Sequence, residues 1–170
     1  MRGFSKAGIL FISIFLFFPI HTDARTYIDN ETPIEIQIAA NKYGEQYGIC
    51  PELIESICYQ ESRFDEQALD GSESCYGLMQ IHRASHKDRI SELGVADLYD
   101  IDSNIHVATD YLAELFNEYE DVSTVLMVYH GEKDAVLKSE RGEVSDYAKE
   151  ILEHSYELET LHGKHDLKVR

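Results

Sequence analysis

A glutamate continues the apolar row of a predicted helix in this chain. Leu53, Ile54, Ile57 and Cys58 recur at helical spacing, and Glu61 takes the next position of the same row. Residues with this spacing stack on one face of an α-helix, and an apolar face of this kind packs against a core. The chain must therefore fold so that one carboxyl group is either desolvated or opens into a cleft.

The predicted setting of Glu61 suits an acid catalyst. Desolvation disfavours the charged form of a carboxyl group, which favours a general acid near neutral pH. A polar loop with glycine, hydroxyl and amide groups follows over residues 71–80. A glutamate near a helix end is more often a solvated charge or half of a surface salt bridge, so spacing alone leaves both readings open.

The N-terminal segment has the features of a secretory signal peptide. Arg2 and Lys6 flank the start of an uncharged apolar run over residues 7–20, and Thr22 and Ala24 fit the small-residue positions before a cleavage site. We expect residues 1–24 to be removed. The alternative is an uncleaved N-terminal anchor, although the apolar run is short for a membrane span.

The acidity of the chain limits its partners. The 170 residues have a net charge of −17, and removal of residues 1–24 takes away two basic residues and one acidic residue, which leaves −18. Nucleic acid is disfavoured because phosphates need a basic footprint. Any carbohydrate must bind in a shaped cleft rather than by bulk attraction to the protein.

The cysteines and histidines match no metal motif. Cys50 and Cys58 would lie about 12 Å apart along one helix, too far for a disulfide. A bridge between Cys58 and Cys75 stays open, but buried free thiols are favoured. His82 and His86 would share a helix face with no third ligand, so we expect no metal and no cofactor.

Periodicity and capping residues predict a mainly helical single domain. Thr32 and Glu35 form a predicted capping box around Pro33, and Asp102 or Ser103 is expected to cap a long helix. A small β-hairpin is predicted within residues 64–76. Helices are predicted over residues 33–47, 51–61, 78–82, 84–93, 102–118, 121–129 and 145–158, and the inward residues of the long helix are Ile105, Ala108, Leu112 and Leu115.

Four blocks of sequence occur in an informative order. They are residues 60–65 (QESRFD), 77–81 (GLMQI), 104–105 (NI) and 128–131 (VYHG). Together they resemble the catalytic domain of the soluble lytic transglycosylases, a family related to goose-type lysozymes. The resemblance runs from about residue 34 to about residue 158, which is nearly all of the chain after the signal segment.

The resemblance implies a fold and an activity. The fold is a lysozyme-like α+β domain, mainly helical, with a small β-hairpin region beside the cleft; we assign residues 25–160 to it and residues 161–170 to a flexible tail. The reaction cleaves the β-1,4 bond between N-acetylmuramic acid and N-acetylglucosamine in peptidoglycan and forms a 1,6-anhydro product. Glu61 acts as acid and then as base, and the substrate's own N-acetyl group assists without a cofactor.

The resemblance also implies residues that bind the glycan. Gln80 matches a glutamine that contacts the sugar, and Ser62 follows the acid and helps to hold the local turn. Ser72 and Ser74 lie where the family places hydroxyl groups for sugar or water. Two tyrosines complete the implied cleft, Tyr129 and Tyr147.

Departures from the family pattern occur at three places. His130 replaces the usual asparagine after Tyr129, so it keeps a hydrogen-bond donor and is expected to add a pH dependence. Cys75 stands where alanine is usual. The loop that holds Ser72 and Ser74 has one extra residue, which weakens their assignment.

Two other functions fit the same sequence. A hydrolytic muramidase would add water instead of forming the anhydro ring, and a peptidoglycan-binding or assembly protein would not need an acid in an apolar setting. In every case we expect a monomer that acts on peptidoglycan in the cell wall or periplasm, without stable membrane insertion after signal cleavage.

The first prediction concerns export. The mature protein should begin near Arg25 and be recovered outside the cytoplasm, because residues 1–24 have a charged start, an apolar run and a small-residue site. N-terminal sequencing of the exported protein tests this expectation. Membrane-bound protein with Met1 intact would replace cleavage with anchoring.

Overall fold

The structure, a computed structural model, describes residues 32–164. The predicted signal peptide lies outside the described residues, and so do residues 165–170 of the predicted tail. Within the described part, no helix is both long enough and apolar enough to cross a membrane.

The described residues form seven helices and one two-stranded antiparallel sheet, so the predicted mainly helical fold is confirmed. In the sheet, Cys75 pairs with His82 and Tyr76 pairs with Ile81. In chain order the elements are α1 (Ile34–Tyr47), α2 (Pro51–Ser62), β1 (Cys75–Tyr76), β2 (Ile81–His82), α3 (Lys87–Glu92), α4 (Ile101–Glu118), α5 (Val122–Tyr129), α6 (Ala135–Glu140) and α7 (Asp146–Leu161).

The core forms around α2, which packs against α1 and α7, while α4 packs against α1. Leu53, Ile54, Ile57 and Cys58 are buried, as the apolar row predicts. The next residue of that row, Glu61, is only half-buried, so the row leaves the core in the last turn of α2. The inward residues predicted for α4 are also confirmed, since Ile105, Ala108, Leu112 and Leu115 are all buried.

Three helices begin at side-chain caps, although not all at the predicted residues. Asp121 and Ser145 cap α5 and α7 as predicted. The cap of α4 is Asp100, whose carboxylate accepts a hydrogen bond from the backbone N–H of Ser103, so the predicted caps Asp102 and Ser103 lie inside the helix. The predicted capping box at α1 is wrong: Pro33 is the N-cap, and proline has no side-chain acceptor.

The region between α2 and α4 differs most from the sequence prediction. Residues 78–82 do not form the predicted helix, because Gly77 and Gln80 both have positive φ, 71° and 46°, and the chain turns from β1 into β2 there. The predicted hairpin is therefore displaced, with its second strand after residue 76. The helix predicted over residues 84–93 is the shorter α3, and α6 was not predicted.

All three cysteines are free thiols. Cys58 is fully buried, and its burial raises the pKa of the thiol. Cys50 and Cys75 are half-buried, and burial raises the pKa of Cys50 to about 12. The structure therefore has no disulfide between Cys58 and Cys75, the pairing that the sequence left open.

A buried carboxylate joins the start of α2 to the end of α7. Glu52 is 1% exposed and accepts hydrogen bonds from Nδ1 of His162 at 2.7 Å, from Nζ of Lys164 at 2.7 Å and from Sγ of Cys50 at 2.9 Å. Burial opposes its ionisation, but these three partners outweigh burial and lower the pKa of Glu52 to about 2. Residues after Leu161 therefore take part in the packing of α2.

One buried amide fixes the turn between the two strands. The Oδ1 atom of Asn104 accepts from the backbone N–H of Met79 at 2.9 Å, and its Nδ2 atom donates to the carbonyl oxygens of Tyr76 and Leu98 at 2.8 and 2.7 Å. Asn104 lies in α4 and is 1% exposed. Its amide thus satisfies three backbone groups on two separate segments, the hairpin of β1 and β2 and the residues before α4.

Gly77 lets the turn approach this amide. A Cβ atom at Gly77 would lie 2.3 Å from the carbonyl oxygen of Leu98 and 2.5 Å from Nδ2 of Asn104. The residue also has a φ of 71°, which side chains rarely adopt. Both the backbone angle and the space therefore require glycine.

The second prediction tests this close approach. Gly77→Ala should lower the free energy of unfolding by about 2 to 4 kcal/mol, because it adds steric overlap to the strain of a left-handed backbone. Gly94→Ala is a matched control, since Gly94 has a φ of 68° and no atom within 4 Å of an added Cβ. The control should cost only about 1 kcal/mol. If urea denaturation gave equal losses of unfolding free energy for the two variants, the result would contradict the close approach of Gly77 to Asn104.

Candidate active site

Glu61 lies in the last turn of α2 with its carboxyl group held from α7. The hydroxyl group of Tyr147 donates a hydrogen bond to Oε1 of Glu61 at 2.5 Å. Burial raises the pKa of Glu61, while the hydrogen bond from Tyr147 and the nearby His130 act in the opposite direction, and the raised direction prevails. A half-buried acid that keeps its proton more readily than a solvated one can donate it near neutral pH.

The chain leaves α2 abruptly after this acid. Arg63 and Phe64 both have positive φ, 55° and 65°, and Arg63 is the left-handed C-cap of the helix. Two consecutive non-glycine residues with positive φ are uncommon, and such backbone conformations often occur at functional sites. Ser62 donates from Oγ to the carbonyl oxygen of Cys58 at 3.0 Å, so its hydroxyl is used inside the helix end. This contact agrees with a local structural role for Ser62.

Tyr147 stands in the first turn of α7, which the Ser145 cap starts. Burial and the negative charge of Glu61 raise its pKa far above that of a free phenol, so it remains a hydrogen-bond donor. Its ring stacks on His130, with ring centroids 3.9 Å apart and ring planes 17° apart. The structure thus brings Glu61, Tyr147 and His130 into one contiguous group.

Tyr129 contacts the strand turn rather than the acid itself. Its hydroxyl donates to the carbonyl oxygen of Met79 at 2.8 Å. Burial, followed by the charge of Glu61, raises its pKa well above the ordinary value for tyrosine. Tyr129 is therefore a neutral group within the electrostatic reach of Glu61, and it links α5 to the turn that Asn104 holds.

Gln80 occupies the last position of that turn. Its amide nitrogen donates to the carbonyl oxygens of Gly77 at 2.9 Å and Ala68 at 3.4 Å. These contacts orient the side chain along the turn and agree with its left-handed backbone. Because residues 78–82 do not form the predicted helix, Gln80 belongs to the loop beside the site.

Asp70 organises the loop that carries the two candidate serines. Its carboxylate accepts from the backbone N–H groups of Ser72 at 3.2 Å, Ser74 at 2.6 Å and Cys75 at 2.8 Å. The hydroxyl of Ser72 contacts both Asp70 and the hydroxyl of Ser74. These hydrogen bonds lower the pKa of Asp70. Sequence reasoning missed this role, although an aspartate followed by Gly71 and Ser72 is typical of a turn.

The other acids near Glu61 in sequence have different settings. Asp65, Glu66 and Glu73 are exposed, and Asp70 is committed to its loop. Glu61 thus differs from these neighbouring acids, because it is half-buried at the end of the apolar row and accepts a hydrogen bond from Tyr147.

The histidine spacing does not produce the predicted shared helix face. His82 is in β2, where its Nδ1 atom lies 2.7 Å from Oγ of Ser85, and His86 precedes α3, where its Nδ1 atom lies 2.8 Å from Arg89. The prediction of a common face was wrong because residues 78–86 are not helical. No group of three potential metal ligands occurs in residues 32–164.

Comparison with known proteins gives two curated relatives. The chain is 35% identical over 86 residues to a transglycosylase of Enterobacteria phage PRD1, which is 51% of this chain and 31% of that protein. It is 33% identical over 81 residues to membrane-bound lytic murein transglycosylase F of Desulfosudis oleivorans, which is 48% of this chain and 17% of that protein. The chain therefore matches a third or less of the length of these relatives.

A solved structure has the same fold. An inactive mutant of lytic transglycosylase Slt from Pseudomonas aeruginosa superposes with a TM-score of 0.62 at 16% identity, over 78% of this chain and 25% of that chain. The family profile described as Transglycosylase SLT domain matches residues 38–152, a range that includes Glu61, His130 and Tyr147. The chain belongs to the transglycosylase SLT domain family.

Proposed function

We propose that this protein is a lytic transglycosylase that cleaves the glycan strands of peptidoglycan. The observation that carries the proposal is the half-buried carboxyl group of Glu61, which receives a hydrogen bond from Tyr147 and has a pKa raised by burial. Family membership supports the same reaction class. The bond cleaved is the β-1,4 linkage from N-acetylmuramic acid to N-acetylglucosamine.

The proposed reaction uses one protein acid twice. Glu61 first gives its proton to the glycosidic oxygen, and the N-acetylglucosamine that leaves carries that proton away. The acetamido group of the muramic acid residue stabilises the cationic sugar. The Glu61 carboxylate then removes the proton of the 6-hydroxyl group, whose oxygen bonds to the anomeric carbon and closes the 1,6-anhydro ring. Glu61 regains its proton in this step.

The exposed settings of Asp65, Glu66 and Glu73 support a mechanism with a single acid. A glycosidase that uses two carboxyl groups places both beside the scissile bond. Here the second role falls to the substrate, and Tyr147 stabilises Glu61 while it is ionised between the two proton transfers.

The remaining site residues are proposed to bind the sugar chain. Gln80 would present its amide from the strand turn, and Ser72 and Ser74 would present hydroxyl groups from the loop that Asp70 organises. Tyr129 would hold the turn from behind, and His130 would donate to the sugar. Substrate binding would rest on this shaped cleft, because a chain with a net charge of −17 does not attract anionic wall polymers.

The third prediction concerns the acid. Glu61→Gln should keep the fold and reduce cleavage of purified peptidoglycan by about 100- to 10,000-fold, because the amide has the same shape but cannot transfer a proton. Mass spectrometry of the digest should find anhydro-muropeptides with the unmodified protein.

Glu66→Gln is the control for this experiment, since Glu66 is exposed and close in sequence. It should retain activity. Near-native turnover of Glu61→Gln would remove Glu61 from the mechanism. Products with reducing ends would indicate a hydrolytic muramidase, and complete lack of cleavage by the unmodified protein would favour a binding or assembly protein.

The fourth prediction is a pH effect at Tyr147. Its hydrogen bond favours the ionised form of Glu61 and lowers the pKa of that acid. Tyr147→Phe removes this bond, so the pKa of Glu61 should rise further and the proton should be kept to higher pH. The alkaline limb of kcat/KM should therefore move to higher pH, and the maximum rate should fall about tenfold because the carboxylate loses its donor.

Tyr156→Phe is the matched control on the same helix, because Tyr156 is 59% exposed. Its pH profile should coincide with that of the unmodified protein. An alkaline limb that stays in place or moves to lower pH in Tyr147→Phe would contradict the assigned hydrogen bond.

A further inference from the structure

The residue that departs from the family pattern lies directly on the tyrosine that holds the acid. His130 caps the C-terminal end of α5, and its backbone N–H donates to the carbonyl oxygen of Leu126 at 3.0 Å. Its imidazole ring is exposed on one side and stacks on Tyr147 with a centroid separation of 3.9 Å. The other side of Tyr147 reaches Glu61 through its hydroxyl group.

We propose that His130 is a positioning residue for Glu61: its ring fixes the ring of Tyr147, whose hydroxyl group holds the carboxyl group, and its protonation changes the charge beside that carboxyl group. The inference rests on the proposed function, because it concerns the acid of that reaction. A sugar contact is already expected of His130. The positioning role is additional, and the asparagine usual at this position could not perform it.

The stacking contact carries the positioning part of the proposal. The ring planes of His130 and Tyr147 are 17° apart, so the two flat surfaces are almost parallel. Rotation of the phenol about its first torsion would break this contact and move the hydroxyl group away from Glu61. An asparagine side chain is shorter and offers no ring, so it would leave this face of Tyr147 uncovered.

The second part of the proposal, the effect of protonation, rests on the charged groups around His130. Glu61 faces it from α2, and Glu132 faces it from the segment after α5, where Glu132 is paired with Lys138 of α6 at 2.8 Å. Burial opposes ionisation of Glu132, but hydrogen bonds from Lys138 and Ser145, and after them the charge of His130, lower its pKa. A positive imidazole ring would therefore act on two carboxyl groups, while its face stacks on the neutral phenol of Tyr147 from α7.

The charge on His130 determines the direction in which the pKa of Glu61 changes. Histidine is the side chain that ordinarily changes charge between about pH 5 and 8. While the ring of His130 is positive, it favours the ionised form of Glu61 and lowers the pKa of the acid. Once the ring is neutral, this attraction is lost and Glu61 holds its proton more firmly.

Two variants separate charge from shape at this position. His130→Phe keeps a flat ring on Tyr147 without charge, and His130→Arg keeps a flat, stackable group with a permanent charge. Proteins labelled with ¹³C at the glutamate carboxyl carbon allow the titration of Glu61 to be followed by NMR, and the Glu61→Gln spectrum assigns the signal. The titration midpoint of Glu61 should lie at higher pH in His130→Phe than in His130→Arg.

A variant at a neighbouring lysine controls for the change in the net charge of the protein. Lys133 is exposed and three residues along the chain, so Lys133→Met removes one positive charge without touching the stacked rings. Its Glu61 titration should match that of the unmodified protein. Equal midpoints in His130→Phe and His130→Arg would overturn the charge part of the proposal, and a shift of the same size in Lys133→Met would attribute it to net charge alone.

Activity measurements test the positioning part. On the alkaline limb, kcat/KM of His130→Phe should exceed that of His130→Arg by about threefold. His130→Leu, which loses the flat ring and like His130→Phe has no hydrogen-bond donor, should be about tenfold less active than His130→Phe. Equal activity of the Leu and Phe variants would overturn the positioning role. The NMR titration needs no substrate, so it would still test the charge effect if the protein did not cleave peptidoglycan.

Discussion

The side-chain amide of Asn104 is the interaction on which the rest of the site depends. It bonds to backbone groups of Tyr76, Met79 and Leu98, and thereby attaches the turn between the strands to the longest helix. That turn presents the carbonyl oxygen to which Tyr129 donates. Because a buried amide left with unpaired backbone partners would cost about 1 to 3 kcal/mol for each group, this arrangement has few alternatives of similar energy.

The second element of the architecture is the pair of helices α2 and α7, which are joined by polar contacts at both ends. At one end Tyr147 holds Glu61, and Gln60 donates to the carboxylate of Glu150 at 2.8 Å one turn further along α7. At the other end Glu52 binds His162. Apolar packing between the helices fixes their separation, and these contacts fix their register, so the acid and its donor meet without a mobile loop between them.

Sequence reasoning succeeded where periodicity determines structure and failed where tertiary contacts do. The half-buried position of Glu61 follows from the apolar row of α2, and the long helices follow from the same pattern. Residues 78–82 were predicted as a helix, because nothing local shows that Asn104 binds the backbone of Tyr76 and Met79, where the chain turns instead. The hydrogen bond from Tyr147 to Glu61 spans 86 positions and was not predicted, although the family resemblance placed Tyr147 in the cleft.

The hydrogen-bond partners of Glu52 bear on where this domain can be truncated. The family match ends at residue 152, but the buried carboxylate in α2 accepts hydrogen bonds from His162 and Lys164. A fragment that stopped at the family boundary would leave a charged group buried without its partners, which is among the costliest changes a protein interior can suffer. Fragments of this protein made for crystallography or directed evolution should therefore retain residues 153–164.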